Sequence, residues 1–322
     1  MGWREALERY LGGRLPSADV VRIGRLTGMP AGASNDTVGI ELEVVCDGHG
    51  FALPLVLRPQ RADGILAPYD VARQFRVMRA LAGTAVPVPA VMWYEADERV
   101  LGAPFFLMER VSGETLPLFW YGASPRLVAA AEMLAAIHAV DWRGRGLGFL
   151  QPTGESAHSA VTSELAGWRE RAEGFRIGRA PMLVALADYL ERNEPLDAHH
   201  ALLHGDPNPG NYLFRGDRVA AVLDWELAAI GDPRSDLGFY AALLAVFGGM
   251  SANPDGQTLL SRAYEGVTGA RLYDLDYYEA LGLYRMMIIL TGWGGRIGGF
   301  SSYGMDAVAR RLVGLLGPGW EQ

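Results

Sequence analysis

The sequence predicts a mixed α and β chain, and three observations carry that reading. Residues 20–109 hold several short apolar runs of β type, with one stretch at helical spacing among them. Residues 125–316 are dominated by apolar stripes that recur every three or four positions. Inside that helical half, apolar runs at 212–214 and 219–223 flank Arg215-Gly216-Asp217-Arg218, which reads as a β-hairpin. At 322 residues the chain is long for one hydrophobic core, so two lobes are expected.

Residues 3–11 read as a short amphipathic helix, with Trp3, Ala6, Leu7 and Leu11 on one side. Strands follow at 20–26 and 38–45, separated by a turn rich in Gly and Ser at 27–37. A third strand at 51–57 ends in Arg58. The next pattern is a helix over 68–82, in which Val71, Phe75, Met78 and Leu81 face a sheet. Asp70 and Gln74 lie one turn apart on a neighbouring face of it. Val86-Pro87-Val88-Pro89 breaks the helix, and strands at 91–94 and 104–109 are joined by the turn Ala96-Asp97-Glu98-Arg99.

The second half opens with a helix over 125–140, cored by Leu127, Ala130, Met133, Leu134, Ile137 and Val140. His138 and Asp141 at its end read as structural. Two more helical patterns lie around 165–175 and 182–192. After the hairpin, Gly231-Asp232-Pro233-Arg234-Ser235-Asp236-Leu237 opens a helix, with Asp236 placed as a cap or first-turn acid. Asp232 and Asp236 are read as scaffold for the loop after Asp224. Helices at 278–289 and 305–316 close the chain.

The chemistry concentrates around the hairpin. His204-x-Asp206-x-x-x-x-Asn211 precedes it and Asp224 follows it, which brings Asp206, Asn211 and Asp224 to one end of a small sheet. Phosphoryl transfer from ATP needs such a set: a carboxylate near the attacking hydroxyl, and oxygen ligands for magnesium. Asp206 is the catalytic candidate; an aspartate is a weak base at neutral pH, so its main contribution is positioning. Asn211 and Asp224 are the Mg²⁺ candidates, and His204 braces the loop. No residue of the set captures phosphate covalently, so direct in-line transfer is expected.

This stretch resembles the catalytic centre of the aminoglycoside-phosphotransferase-like family, small-molecule kinases with a protein-kinase-like fold. The resemblance runs from about residue 20 to near the end, with specific motifs at 32–37, 104–113 and 202–237. It implies an α+β, protein-kinase-like two-lobed fold: an antiparallel-sheet lobe with one main helix over 1–109, and a mostly helical lobe over 110–322. Gly32-x-Ser34-Asn35-x-Thr37 resembles the family's phosphate-covering loop, so Gly32, Ser34 and Asn35 become nucleotide contacts through backbone N–H groups.

Arg58 matches the place of the family's nucleotide lysine. The chain has no lysine, all 29 basic residues being Arg, so an arginine must serve. Val56-Leu57-Arg58 looks like the kinase-like domains fused to, or encoded beside, acyl-CoA dehydrogenases. Gln74, in Arg73-Gln74-Phe75, stands where the family carries a Glu, and Asp70 is the alternative partner for Arg58. Residues 108–113 look like the inter-lobe hinge, whose backbone at Glu109 and Val111 would meet adenine.

The resemblance implies a Mg²⁺- and ATP-dependent phosphotransferase acting on a hydroxyl of a small molecule. The likeness to acyl-CoA-dehydrogenase-associated domains favours a hydroxy acid or hydroxyacyl thioester; an aminoglycoside or another antibiotic is the alternative. A nucleotide-binding pseudokinase or scaffold is the third reading, motivated by the absent Lys and Glu.

Bulk properties exclude other classes. A formal charge of −8 with no basic run argues against nucleic acid. Cys46 is the only cysteine, which rules out an intrachain disulfide and a Cys-based metal site. The first residues lack an apolar signal core, position 6 is Ala and so does not suit myristoylation, and the apolar runs at 241–247 and 286–290 are too short for a membrane span. A cytoplasmic enzyme is expected. Oligomeric state and ATP against GTP stay open.

Overall fold

The computed structural model describes residues 2–28, 37–61, 69–117, 124–151, 159–247, 257–294 and 300–320. The chain divides into two compact units: Met1–Ala82 with Val88–Ser112, and Gly83–Pro87 with Gly113–Gln322.

The first unit begins with helix α1 (Trp3–Arg14) and continues through strands β1 (Val20–Gly28), β2 (Val38–Cys46) and β3 (His49–Pro59). Helix α2 (Val71–Leu81) and strands β4 (Val91–Glu95) and β5 (Phe105–Glu109) complete it. The five strands form one antiparallel sheet in the order β1-β2-β3-β5-β4. Asp47 and Gly48 join β2 to β3 with φ of 50° and 75°. Positive φ at both central residues suits the twist of a tight hairpin, which is why an Asp-Gly pair sits there.

Alternating residues of the sheet, among them Ile23, Ile40, Leu42, Leu55, Leu57 and Leu107, build the core with Leu7 and Leu11 of α1. The expected stripe on α1 is corrected at Trp3, which is exposed, because the apolar packing of the helix on the sheet starts at Leu7. In α2 the buried face runs through Val71, Gln74, Val77, Met78 and Leu81. Phe75 is only partly buried and lies against the rings of Tyr94 and Phe106.

The second unit contains strand β6 (Glu114–Thr115), then helices α3 (Pro125–His138), α4 (Ala160–Gly174) and α5 (Pro181–Arg192). Strands β7 (Ala201–Leu203), β8 (Tyr212–Arg215), β9 (Arg218–Val222) and β10 (Ala229–Gly231) follow. Helices α6 (Pro233–Phe247), α7 (Leu259–Thr268), α8 (Leu275–Gly294) and α9 (Phe300–Leu316) end the unit. The hairpin β8–β9 is present and gains β6 as a third strand, while β7 pairs with β10. In α3, Leu127, Ala130, Leu134 and Ile137 are buried as expected, with Ala131 added. Met133 and Val140 are only partly buried.

Helix α6 is buried over nearly its whole length. It crosses α8 closely, because a Cβ on Gly238 would stand 2.2 Å from the carbonyl of Tyr278, and one on Gly282 would stand 2.7 Å from the oxygen of Gly238. Two glycines at the crossing let the backbones meet and carry the rest of α8 past the loop after β7. Among the described residues no helix is long and apolar enough to cross a membrane.

Candidate active site

The loop after β7 is fixed before its chemistry begins. Gly205 has φ +85°, and a Cβ there would lie 2.1 Å from the carbonyl oxygen of Leu227, so only glycine fits. The carboxylate of Asp236, in the first turn of α6, accepts the N–H of His204 at 2.9 Å and the N–H of Gly205 at 2.8 Å. Asp236 therefore holds the loop before Asp206, where the sequence reading had it supporting the loop after Asp224. The capping role falls to Asp232, which accepts the N–H of Arg234 at 2.9 Å. Burial pushes the Asp236 carboxyl up, but hydrogen bonds from His138 and Gly205 outweigh it and hold the group below its ordinary value. The His138 contact is 3.1 Å, and Tyr264 holds the other ring nitrogen at 2.9 Å.

His204 is wholly buried between Tyr212 and Trp225. Its Nε2 lies 2.8 Å from the carbonyl oxygen of Leu223. A carbonyl only accepts, so Nε2 carries the hydrogen and Nδ1 is left to accept the Asp206 N–H at 3.2 Å. The bracing role expected of His204 thus has a geometry.

Asn211 ends a short turn over Pro209–Asn211. Its Nδ2 donates to both the backbone oxygen and Oδ2 of Asp206, each at 2.9 Å. Its own carbonyl accepts the N–H of Leu223 at 2.8 Å. Leu223 is thereby held at both backbone groups, and the next residue is Asp224, in the left-handed region at φ 62° and ψ 60°. An aspartate there carries strain of about 1–2 kcal/mol, retained because the neighbouring peptides are fixed. Asp206, Asn211 and Asp224 come together around one short sheet, as the spacing suggested.

Asp206 keeps partial contact with solvent, yet the protein packed around it pushes its carboxyl above the ordinary value; His204, Asn211 and Arg285 act in the opposite sense, and Asp224 adds to the rise. The Asn211 amide is oriented by its two donations, both made through Nδ2. Among the described residues no group of three or more His, Cys, Asp or Glu could hold a metal. One amide oxygen and one carboxylate suit Mg²⁺, which keeps waters and binds substrate phosphates in preference to an all-protein cage.

In the first unit, Arg58 lies near the end of β3, opposite Phe106 of β5. Its terminal nitrogen donates to Gln74 Oε1 at 3.2 Å. Asp70 is occupied as the cap of α2, accepting the N–H of Arg73 at 2.9 Å. Of the two partners the sequence left open, the contact is with Gln74. Glu109 ends β5 with its N–H bonded to Ala90 at 2.9 Å, and Val111 lies just beyond in irregular backbone. Gly32, Ser34 and Asn35 fall outside the described residues.

Sequence reasoning missed Glu164 and Arg285, which reach the loop from α4 and α8. Neither sits in a motif; for Arg285 the signal was a charge within the apolar run of α8, and Glu164, on a helix with four other charged residues, had none.

The profile of the phosphotransferase enzyme family matches residues 25–274. The chain belongs to this family. It is 30% identical over 316 residues to acyl-CoA dehydrogenase family member 11 of Gallus gallus, covering 89% of this chain and 39% of that protein. The chain spans 22% to 39% of the length of the first such relatives. Among solved structures, a Ralstonia eutropha JMP134 protein provisionally described as an aminoglycoside phosphotransferase is 28% identical, with a TM-score of 0.66 over 98% of this chain and 97% of that one. APH(4)-Ia in complex with ADP and hygromycin B is 18% identical, with a TM-score of 0.58 over 98% and 99%, and speaks for the fold alone. The fold is the kinase-like α+β fold of the phosphotransferases, with its antiparallel sheet and helical part as the resemblance implied.

Proposed function

We propose that the protein moves the γ-phosphate of ATP, with Mg²⁺, to a hydroxyl group of a small molecule. The observation that carries this reading is the pair of hydrogen bonds from Asn211 to Asp206. One residue orients the carboxylate and keeps an oxygen for a metal, and Asp224 is fixed by the same peptides. Asp206 orients the acceptor hydroxyl and takes its proton late, as the oxygen attacks phosphorus and the bond to ADP breaks. Asn211 and Asp224 would hold Mg²⁺, which when bound offsets the charge on the phosphates. Arg58 neutralises phosphate oxygens, with Gln74 behind it. The backbone near Glu109 and Val111 receives adenine, and Gly32, Ser34 and Asn35 supply N–H groups to the phosphates.

For the acceptor, we favour a hydroxy acid or hydroxyacyl thioester, because the curated relatives carry acyl-CoA dehydrogenase names. An aminoglycoside is the competing acceptor, supported by structural neighbours solved with such compounds. A nucleotide-binding scaffold is the competing class, and the uncharged Gln74 opposite Arg58 is what speaks for it.

Titration with Mg-ATP and turnover against a panel of hydroxyl compounds separate these readings. Asp206→Asn is expected to bind Mg-ATP as the parent does and to lose transfer. Asp224→Ala is expected to lose both transfer and the Mg²⁺ dependence of binding. Wild-type turnover in Asp206→Asn would remove the assignment, and ATP binding without turnover in the parent would favour the scaffold.

A further inference from the structure

Arg285 is one of only two charged side chains of α8 that are buried with their partners (the other is Glu279, clamped by Arg311 of α9 at 2.6 Å). It is 2% exposed. One terminal nitrogen meets Glu164 Oε1 of α4 at 3.1 Å. The other donates to the carbonyl oxygen of Gly205. The guanidinium is flanked by the rings of Trp168, 5.1 Å away, and Phe239, 3.9 Å away. Leu283, Met286, Met287 and Ile288 around it on α8 are all buried and apolar.

A buried ion pair is a poor way to gain stability, since a well-packed apolar residue does as well or better. The question is what the charge holds. The Gly205 carbonyl belongs to the peptide that joins Gly205 to Asp206. The N–H of Gly205 is taken by Asp236 of α6, and its Cβ position is closed by Leu227. One residue is thus gripped at its amide, its α-carbon and its carbonyl, and the third grip is Arg285. A guanidinium can fork onto a carboxylate and a carbonyl together, which a lysine ammonium does less rigidly.

We propose that Arg285, aligned by Glu164, is a positioning residue that sets the Gly205–Asp206 peptide and through it the direction of the Asp206 carboxylate. This deepens the phosphotransfer reading and rests on it. Buried as it is, Arg285 acts through that peptide. Burial pushes the Glu164 carboxyl above its ordinary value, and the Arg285 guanidinium beside it opposes that rise.

The test uses the intact protein and Mg-ATP with water as acceptor, read as phosphate release, in Arg285→Met, Arg285→Lys and Arg311→Met. A carboxylate misplaced by about 1 Å loses about 100-fold in rate, so Arg285→Met is expected to lose kcat on that order. KM for Mg-ATP is expected to stay within about twofold, the mark of a change in the transition state and not in binding. Arg285→Lys is expected to recover about tenfold of the loss by keeping one contact and the charge. Arg311→Met is expected to keep the parent kcat. A folded Arg285→Lys and Arg285→Met with parental kcat, or an equal loss in Arg311→Met, overturns the proposal. If Arg285→Met does not fold, Arg285→Lys decides by the same criteria. If the parent forms no ADP with water or any hydroxyl acceptor, the phosphotransfer reading fails, and amide hydrogen exchange over residues 204–211 decides the positioning claim. Faster exchange there in Arg285→Lys supports it, and parental exchange overturns it.

Discussion

At the scale of single residues, Gly205 and Gly216 make a controlled pair. Both have positive φ, +85° and +61°, but a Cβ at Gly216 meets open space while one at Gly205 meets a backbone oxygen 2.1 Å away. Gly216→Ala is expected to cost only the left-handed conformation, about 1–2 kcal/mol. Gly205→Ala must also move backbone, so a loss of about 3 kcal/mol or more, with loss of turnover, is expected. Urea unfolding of both variants checks the difference, and equal costs would mean the loop yields. Arg58 and Gln74 form a second pair. A neutral partner adds about 1 kcal/mol, so Gln74→Ala is expected to lose about fivefold in kcat/KM for ATP. Arg58→Ala removes the cation itself, and a loss of about 100-fold or more is expected. Unchanged ATP dependence in Arg58→Ala would leave the arginine without a role. The Arg58 contact was legible because the position in the strand and the lack of lysine narrowed the choice. Asp70 was offered as its other partner because spacing alone does not reveal that a side chain is already used as a cap.

At the scale of elements, the first turn of α6 carries more than its sequence suggests. Asp236 accepts from two backbone N–H groups of the loop and from His138. Its pKa is depressed in the folded protein, so its contribution is present above the unfolded value, about 3.9, and is lost as pH falls through the lower folded value. Asp236→Asn leaves the buried donors facing an amide and is expected to cost about 3–5 kcal/mol at pH 7. The gap between variant and parent should narrow as pH falls below about 4, which unfolding at pH 7, 5 and 3 measures; a gap unchanged at pH 3 would point to packing. Long elements with clear periodicity were readable from sequence: α3, α5, α8, α9 and the five strands of the first unit. The three-residue strands β7 and β10 were not, because so short a run has no period. Helix α7 was missed although Thr258 and Ser261 form a capping box and Leu260 and Tyr264 lie on its buried face, since ten residues make only a short pattern. Trp3 was assigned inward by spacing, but packing against the sheet starts a turn later.

At the scale of the whole molecule, the kinase-like fold was legible only through the motif order, because periodicity by itself gives no more than α with β. The candidate site was legible where it is local: Asp206, Asn211 and Asp224 lie within one stretch. Its supports were legible only in part: Asp236 was read as scaffold, though for the loop after Asp224, while Glu164 and Arg285 were not read, since the three come from three helices and meet only after folding. The division into units has one awkward feature. Residues 83–87, between α2 and β4, belong to the second unit, where Pro87 accepts the N–H of Val222 at 2.8 Å. A fragment of residues 113–322 would leave that N–H unpaired beside Asp224, and it is expected to melt below the same unit in the intact chain. A fragment melting at the intact temperature would make the Pro87 contact dispensable. Strand β5, encoded after this segment, pairs with β3, encoded before it. A genetic crossover falling between β3 and β5 would therefore divide a sheet and separate Pro87 from one of its two neighbourhoods. A recombination event that keeps both the sheet and the Pro87 contact must carry β3, residues 83–87, β5 and Val222 together as one inherited piece.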